Sequence, residues 1–213
     1  MVLKLYGFPQ STTVKIVAIV LYEKKVPFEY VEVDVFARAH KEADYLEKQP
    51  FGQIPCIDDN GFILYESRAI GRYLVENYPE HGDQLIPSDP KKRALFEQAV
   101  SSEASNFDRF ATPLVIELLF KKNGETDLAK VEDLKNNLSQ KLDVYDKILS
   151  KQKYLAGDSV TLADLFHLPG GQLMIKAGLT LIEDRPNVAR WFNEISSRES
   201  WQMVKDGVGP CKF

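Results

Sequence analysis

The chain has 213 residues, 44% of them hydrophobic and 27% charged, which is the balance of a soluble globular protein with enough apolar mass for one large or two small domains. Its 27 basic and 31 acidic side chains leave a formal charge of -4, with no basic cluster and no apolar run of bilayer length, so nucleic acid and membranes are set aside as partners. Cys56 and Cys211 stand far apart in no metal-like spacing, so neither a disulfide framework nor a metal site is expected.

Met1 leads directly into the strand pattern Val2-Leu3-Lys4-Leu5-Tyr6 without a basic n-region or cleavage site, which points to a cytoplasmic location. Gly7-Phe8-Pro9 breaks the strand. Ser11 then precedes a helical run through Val14, Val17, Ala18, Leu21 and Tyr22 that stops at Val26-Pro27, so Ser11 reads as a helix N-cap. Phe28 to Val35 alternates, with Val31, Val33 and Val35 on one face and Glu32 and Asp34 on the other, completing a βαβ unit.

Pro50-Phe51-Gly52-Gln53-Ile54-Pro55 follows. A cis Ile54-Pro55 bond would turn the chain sharply and leave the Ile54 amide and carbonyl outside any sheet, open to an extended peptide ligand; a trans proline at a strand entry is the simpler alternative for a proline taken alone. Asp58-Asp59-Asn60-Gly61 is a hairpin signal, and the second strand of that hairpin, Phe62 to Tyr65, ends at Glu66-Ser67 before the helical pattern Ala69, Ile70, Tyr73 and Leu74. Ser67 is expected at the N-cap. A helix N-terminus suits a ligand carboxylate, while Glu66 beside it suits an ammonium.

The breaker-rich stretch from Pro79 to Pro90 marks a domain boundary, giving domains at 1–79 and 91–213 joined by a linker at 80–90. Beyond it all is helical. Pro113 should kink an apolar helix, Leu128, Val131, Leu134, Leu138, Leu142, Tyr145 and Leu149 trace one long amphipathic helix, and Thr161 with Asp164 forms a capping box with Val160 and Leu165 as its staple.

Taken together, Ser11-Thr12, Ala39-His40-Lys41, Pro50 to Pro55, Glu66-Ser67-Arg68-Ala69-Ile70, and Tyr154-Leu155-Ala156-Gly157-Asp158 running on to Thr161-Leu162-Ala163-Asp164 resemble a cytosolic glutathione transferase of the phi type, over nearly the whole chain. The resemblance implies an α/β, thioredoxin-like N-terminal domain followed by an all-helical C-terminal domain, and a homodimer that uses Phe51 at its contact. It also implies conjugation of reduced glutathione to hydrophobic electrophiles, with glutathione peroxidase activity on the side and a non-catalytic carrier as the alternative. The position of a thioredoxin Cys-x-x-Cys pair reads Ser11-Thr12-Thr13-Val14 here, so exchange through the protein's own sulfur is not expected.

By the same resemblance Ser11 holds the glutathione thiolate, His40 and Lys41 meet the glycine carboxylate, Gln53 and the Ile54 backbone the cysteinyl portion, and Glu66 with Ser67 the γ-glutamyl ammonium and carboxylate. Thr12, Phe36, Ile116 and Phe120 are implied for the electrophile site. Tyr6 is the rival donor to the sulfur. The pattern departs from the phi type at Lys15, where an arginine is usual; a lysine keeps the charge without the planar fork.

Overall fold

A computed structural model describes residues 2–122 and 124–213. The chain forms two compact units, Met1–Leu85 together with Arg198–Phe213, and Ile86–Ser197.

In the first unit, β1 (Leu3–Gly7), α1 (Thr12–Glu23) and β2 (Phe28–Glu32) form the βαβ unit, α2 (Ala43–Leu46) is a single turn, and β3 (Cys56–Asp59), β4 (Phe62–Tyr65) and α3 (Ser67–Asn77) follow. The sheet order is β2-β1-β3-β4, with β1 and β2 parallel and the β1-β3 and β3-β4 pairs antiparallel. This is the thioredoxin-like arrangement.

Alternation in β1 puts Leu3, Leu5 and Gly7 on the buried face and Lys4 and Tyr6 on the other. Helix α1 is buried from Val14 through Tyr22 because α3 and the late helix α10 (Glu199–Val204) both pack on it. The hairpin turn is the two-residue Asn60-Gly61 with φ of 56° and 92°, the left-handed pair that a tight hairpin requires, and Asp58 Oδ1 accepts the Gly61 amide at 2.7 Å.

Two expectations are corrected in this unit. Strand β2 stops at Glu32 rather than Val35, because β1, its one partner among the described residues, ends at Gly7 and because Asp34 Oδ1 accepts the Phe36 and Ala37 amides, each at 2.9 Å, turning the chain. The N-cap of α3 is Glu66, at φ 71° and ψ 105°, and Ser67 is already the first helical residue.

In the second unit, α4 (Pro90–Ser102) starts at an Asp89 cap and leads through a π-helical turn, Glu103–Asp108, into α5 (Arg109–Val115) and a second π-helical turn, Ile116–Phe120. Pro113 lies between those widened turns, where its missing N–H would otherwise break a regular ladder. Helix α6 (Leu128–Leu149) buries Leu138, Leu142, Tyr145 and Leu149. Then come α7 (Leu162–Leu165), α8 (Leu168–Lys176) and α9 (Pro186–Ser196). The fully buried Asp164 carboxylate accepts from the Thr161 amide and hydroxyl, the Leu155 amide and Trp191 Nε1, so the capping box ties three segments together.

Candidate functional site

A cavity of 460 Å³ in the first unit is lined by Thr13, Val35, His40, Lys41, Gln49, Gly52, Gln53, Ile54, Pro55, Glu66, Ser67 and Arg68. It gathers all six residues expected at the glutathione contacts. A larger cavity of 720 Å³ opens at the opposite end of α1, where three of the charged groups of its wall are engaged with each other: Arg198 donates to both Glu23 oxygens and to Asp83.

Each wall follows from local sequence. The Ile54-Pro55 bond is cis, and the Ile54 amide has no hydrogen-bond acceptor among the described residues. The Ile54 carbonyl differs from the expectation of an open acceptor: Thr13 Oγ1 donates to it at 3.0 Å. The Gln53 backbone is held from both sides, its amide by the buried Gln49 Oε1 at 3.0 Å and its carbonyl by the Tyr45 hydroxyl at 2.8 Å, so its side chain is left exposed at the cavity.

His40 and Lys41 sit on a 3₁₀ turn, Ala39–Lys41, entered through Arg38 in the left-handed region. Lys41 Nζ donates to the Phe51 carbonyl at 3.1 Å, drawing that turn against the Phe51-Gly52 loop. Burial, with Lys41 and Arg38 beside it, holds the His40 imidazole below its ordinary pKa, so the ring is neutral at pH 7. Its buried Nδ1 has no hydrogen-bond partner among the described residues. Across the cavity, Glu66 is exposed at the cap of α3 while Ser67 is buried in the first turn, with the amides that open that helix beside them.

Ser11 caps α1 as expected, its Oγ accepting the Val14 amide at 3.4 Å. It also stands 2.9 Å from Thr13 Oγ1, which joins the cap to the cavity wall. Tyr6 is differently placed: it packs against the cluster of Val33, Tyr45 and Cys56, and burial followed by the nearby Asp58 pushes its phenol above the ordinary pKa.

The Ser11 loop is held from the far end of the chain. Lys15 is buried and donates to the Lys205 carbonyl at 2.8 Å, Gln10 Nε2 to the Asp206 carbonyl at 2.9 Å, and the Val208 amide to the Pro9 carbonyl at 3.0 Å.

Of the residues expected at the electrophile site, Thr12 opens α1 and Phe36 is 82% exposed, edge-on to Phe8 with centroids 5.3 Å apart. Ile116 and Phe120 lie on the π-helical turn of the second unit, Phe120 66% exposed, whereas Phe107 and Leu114 of the same apolar stripe are core. Sequence reasoning assigned no contact to the other residues of the cavity wall, Thr13, Val35, Gln49, Gly52, Pro55 and Arg68. The third hydroxyl of Ser11-Thr12-Thr13 was the one visible signal for Thr13.

Residues 1–76 match the family model described as Glutathione S-transferase, N-terminal domain, and residues 107–199 match Glutathione S-transferase, C-terminal domain. The chain is 44% identical over 207 residues to Glutathione S-transferase hmp2 of Hypomyces subiculosus, covering 94% of this chain and 96% of that protein. The crystal structure of glutathione transferase F2 from Populus trichocarpa superposes with a TM-score of 0.92 at 41% identity, covering 96% of this chain and 97% of that one. Glutathione S-transferase I from Mais, solved in complex with an atrazine glutathione conjugate, superposes at 0.90 with 28% identity, covering 97% of each chain. Both family domains are matched in order and the identity runs through nearly the whole length, so the chain belongs to the glutathione S-transferase family, in its phi type, and is a transferase that conjugates glutathione.

Proposed function

We propose that glutathione lies along this cavity with its sulfur at Ser11. Its γ-glutamyl ammonium meets Glu66 and its γ-glutamyl carboxylate Ser67 and the amides opening α3, the cysteinyl portion pairs with the Ile54 backbone beside Gln53, and the glycine carboxylate meets His40 and Lys41. The charges suit a tripeptide with two carboxylates and one ammonium. The observation that carries the reading is the hydroxyl chain from Ser11 through Thr13 to Ile54, which puts the cap of α1 next to a bent strand edge with a free amide.

The chemistry is stabilisation of an anion. A free thiol has a pKa of about 8.5 and is only a few per cent ionised at neutral pH. A hydrogen bond to a charged group contributes roughly 1.5–3 kcal/mol and a helix N-terminus about 0.3–1 kcal/mol. At about 1.4 kcal/mol per pKa unit the two lower the thiol by about two units, a twentyfold to thirtyfold gain in nucleophile near neutrality. The proton leaves to water, and no general base is needed.

Thr12, Phe36, Ile116 and Phe120 are proposed to contact the hydrophobic electrophile. The carrier alternative is not favoured, since the relatives sharing nearly the whole chain are transferases. The two cysteines are unpaired, in keeping with a cytoplasmic enzyme. We also propose a second copy of the chain against this one, with Phe51, 65% exposed, as its anchor; a 210 Å³ groove in the second unit, with Leu95, Ala99, Tyr145, Ile148 and Leu155 alongside Gln98, Ser102 and Gln152 in its wall, has the size to receive such a ring from a partner.

The deciding measurement is conjugation of a chloronitroaromatic substrate together with thiolate absorbance of bound glutathione, for wild type, Ser11→Ala and Tyr6→Phe. Ser11→Ala is expected to lose most of kcat while still binding glutathione, with Tyr6→Phe near wild type. Inactivity of Tyr6→Phe alone would overturn the assignment.

A further inference from the structure

The polarity of the hydroxyl chain depends on its last member. The Ile54 carbonyl can only accept, so while Thr13 Oγ1 spends its single proton on the 3.0 Å bond to Ile54, Ser11 is the donor across the 2.9 Å gap to Thr13. Ser11 Oγ meanwhile accepts the Val14 amide. In this arrangement the proton of Ser11 is committed to Thr13 and does not face a ligand.

We propose that Thr13 is a hydroxyl switch that couples seating of the peptide to thiolate stabilisation: the cysteinyl N–H of glutathione takes the Ile54 carbonyl, Thr13 turns to donate to Ser11 Oγ, and the Ser11 proton is released to the sulfur. The proposal rests on Ser11 being the thiolate donor. No covalent bond changes; two C–O bonds rotate, and because Thr13 Oγ1 already stands within hydrogen-bond distance of both neighbours, no heavy atom needs to move.

After the switch both lone pairs of Ser11 Oγ are filled, one by the Val14 amide and one by the Thr13 hydroxyl, so donation to the sulfur is the only bond left to it. A hydroxyl that accepts while it donates is polarised into a stronger donor. A thiol without an N–H placed for Ile54 leaves Thr13 on the carbonyl and gains less. Thr13 is therefore a positioning residue that acts through Ser11, and discrimination for the tripeptide is built into the activation step itself.

The test is a two-by-two comparison, with the thiolate fraction of the bound thiol read by ultraviolet absorbance against pH. Wild type and Thr13→Val are each loaded with glutathione and with its analogue methylated at the cysteinyl nitrogen. Loss of one neutral hydrogen bond predicts that Thr13→Val lowers the thiolate fraction of bound glutathione about three- to tenfold at a pH below the midpoint. The N-methyl analogue in wild type should fall by a similar factor, the two changes together should fall no further, and Thr13→Ser should restore the wild-type value with glutathione.

Equal losses in Thr13→Val for both ligands, or no loss, would overturn the switch. Ser11→Ala separates the two layers: if it leaves the thiolate fraction unchanged, the Ser11 reading has failed, and if it lowers the fraction while Thr13→Val does not, only the switch has failed. Thermal unfolding checks each protein, and Thr13→Ala takes the place of Thr13→Val should valine not be tolerated in the first turn of α1.

Discussion

His40 shows how a single side chain can report on the ligand. Burial and two neighbouring cations hold its imidazole below the usual 6.5, so the free protein carries it neutral at pH 7. A carboxylate brought next to it favours the charged form and raises its pKa in the complex. Affinity must therefore rise as pH falls through the complex value, and level off below the free value. With S-methylglutathione, which removes the thiol's own titration, calorimetry between about pH 5 and 7 should show proton uptake on binding that His40→Gln abolishes. A flat profile would remove His40 from the carboxylate contact. Gly52 is a second single-residue constraint. Its φ is +58°, and a Cβ there would stand 2.9 Å from the His40 carbonyl and 2.8 Å from Lys41 Nζ. Gly52→Ala should cost about 1–3 kcal/mol in unfolding experiments and raise the glutathione KM more than it lowers kcat, because it displaces binding groups rather than Ser11.

Among elements, the hairpin and α6 were legible because their signals are local. Asn60-Gly61 needs only its own two dihedral angles, and the repeat from Leu128 to Leu149 needs only the period of a helix. The six residues expected to share one site do line one cavity, for a related reason: each lies in a short motif at a turn or helix start, and the fold brings those motifs together without rearranging any of them. What escaped were bonds across sequence. Thr13 reaches Ile54 over 41 positions and Lys15 reaches Lys205 over 190, and no periodicity encodes either. The boundary of α3 slipped by one residue because the left-handed backbone of Glu66 is invisible in a glutamate. Lys15 carries a prediction at this scale. Its ammonium joins the second turn of α1 to the end of α10, so Lys15→Met keeps the aliphatic stem but frees the Ser11 loop from one of three anchors. We expect about 1–3 kcal/mol of destabilisation and a lower kcat. Lys15→Arg, which retains a donor, should recover both. If Lys15→Met changes stability without touching kcat, the anchor does not position Ser11.

For the molecule as a whole, the decisive feature is that the chain begins and ends in the same unit. Arg198–Phe213 returns to the sheet-bearing half, where Trp201, Val204 and Val208 are buried and α10 covers α1. The same segment supplies the carbonyls of Lys205 and Asp206 and the amide of Val208 that hold the Ser11 loop, and the Arg198 guanidinium that pairs with the largely buried Glu23 side chain at the other end of α1. The first eighty-five residues therefore lack one wall of their own core. Burying one tryptophan and two valines contributes about 1.5–3 kcal/mol each, and the Glu23 carboxylate also loses the guanidinium that pairs with it. Against a total stability of about 5–15 kcal/mol, losing all of these leaves the unit unable to hold its fold. A chain ending at Ser197 should accordingly lose glutathione binding altogether, with the hydrogen-exchange protection of α1 and β1 collapsing while α6 and α9 stay protected. The milder Trp201→Ala should cost about 3–5 kcal/mol and show the same order of loss, protection falling in α1 before α6. Protection of α1 that survives the truncation would mean that the sheet half is self-sufficient, and that the returning segment serves the Ser11 loop alone.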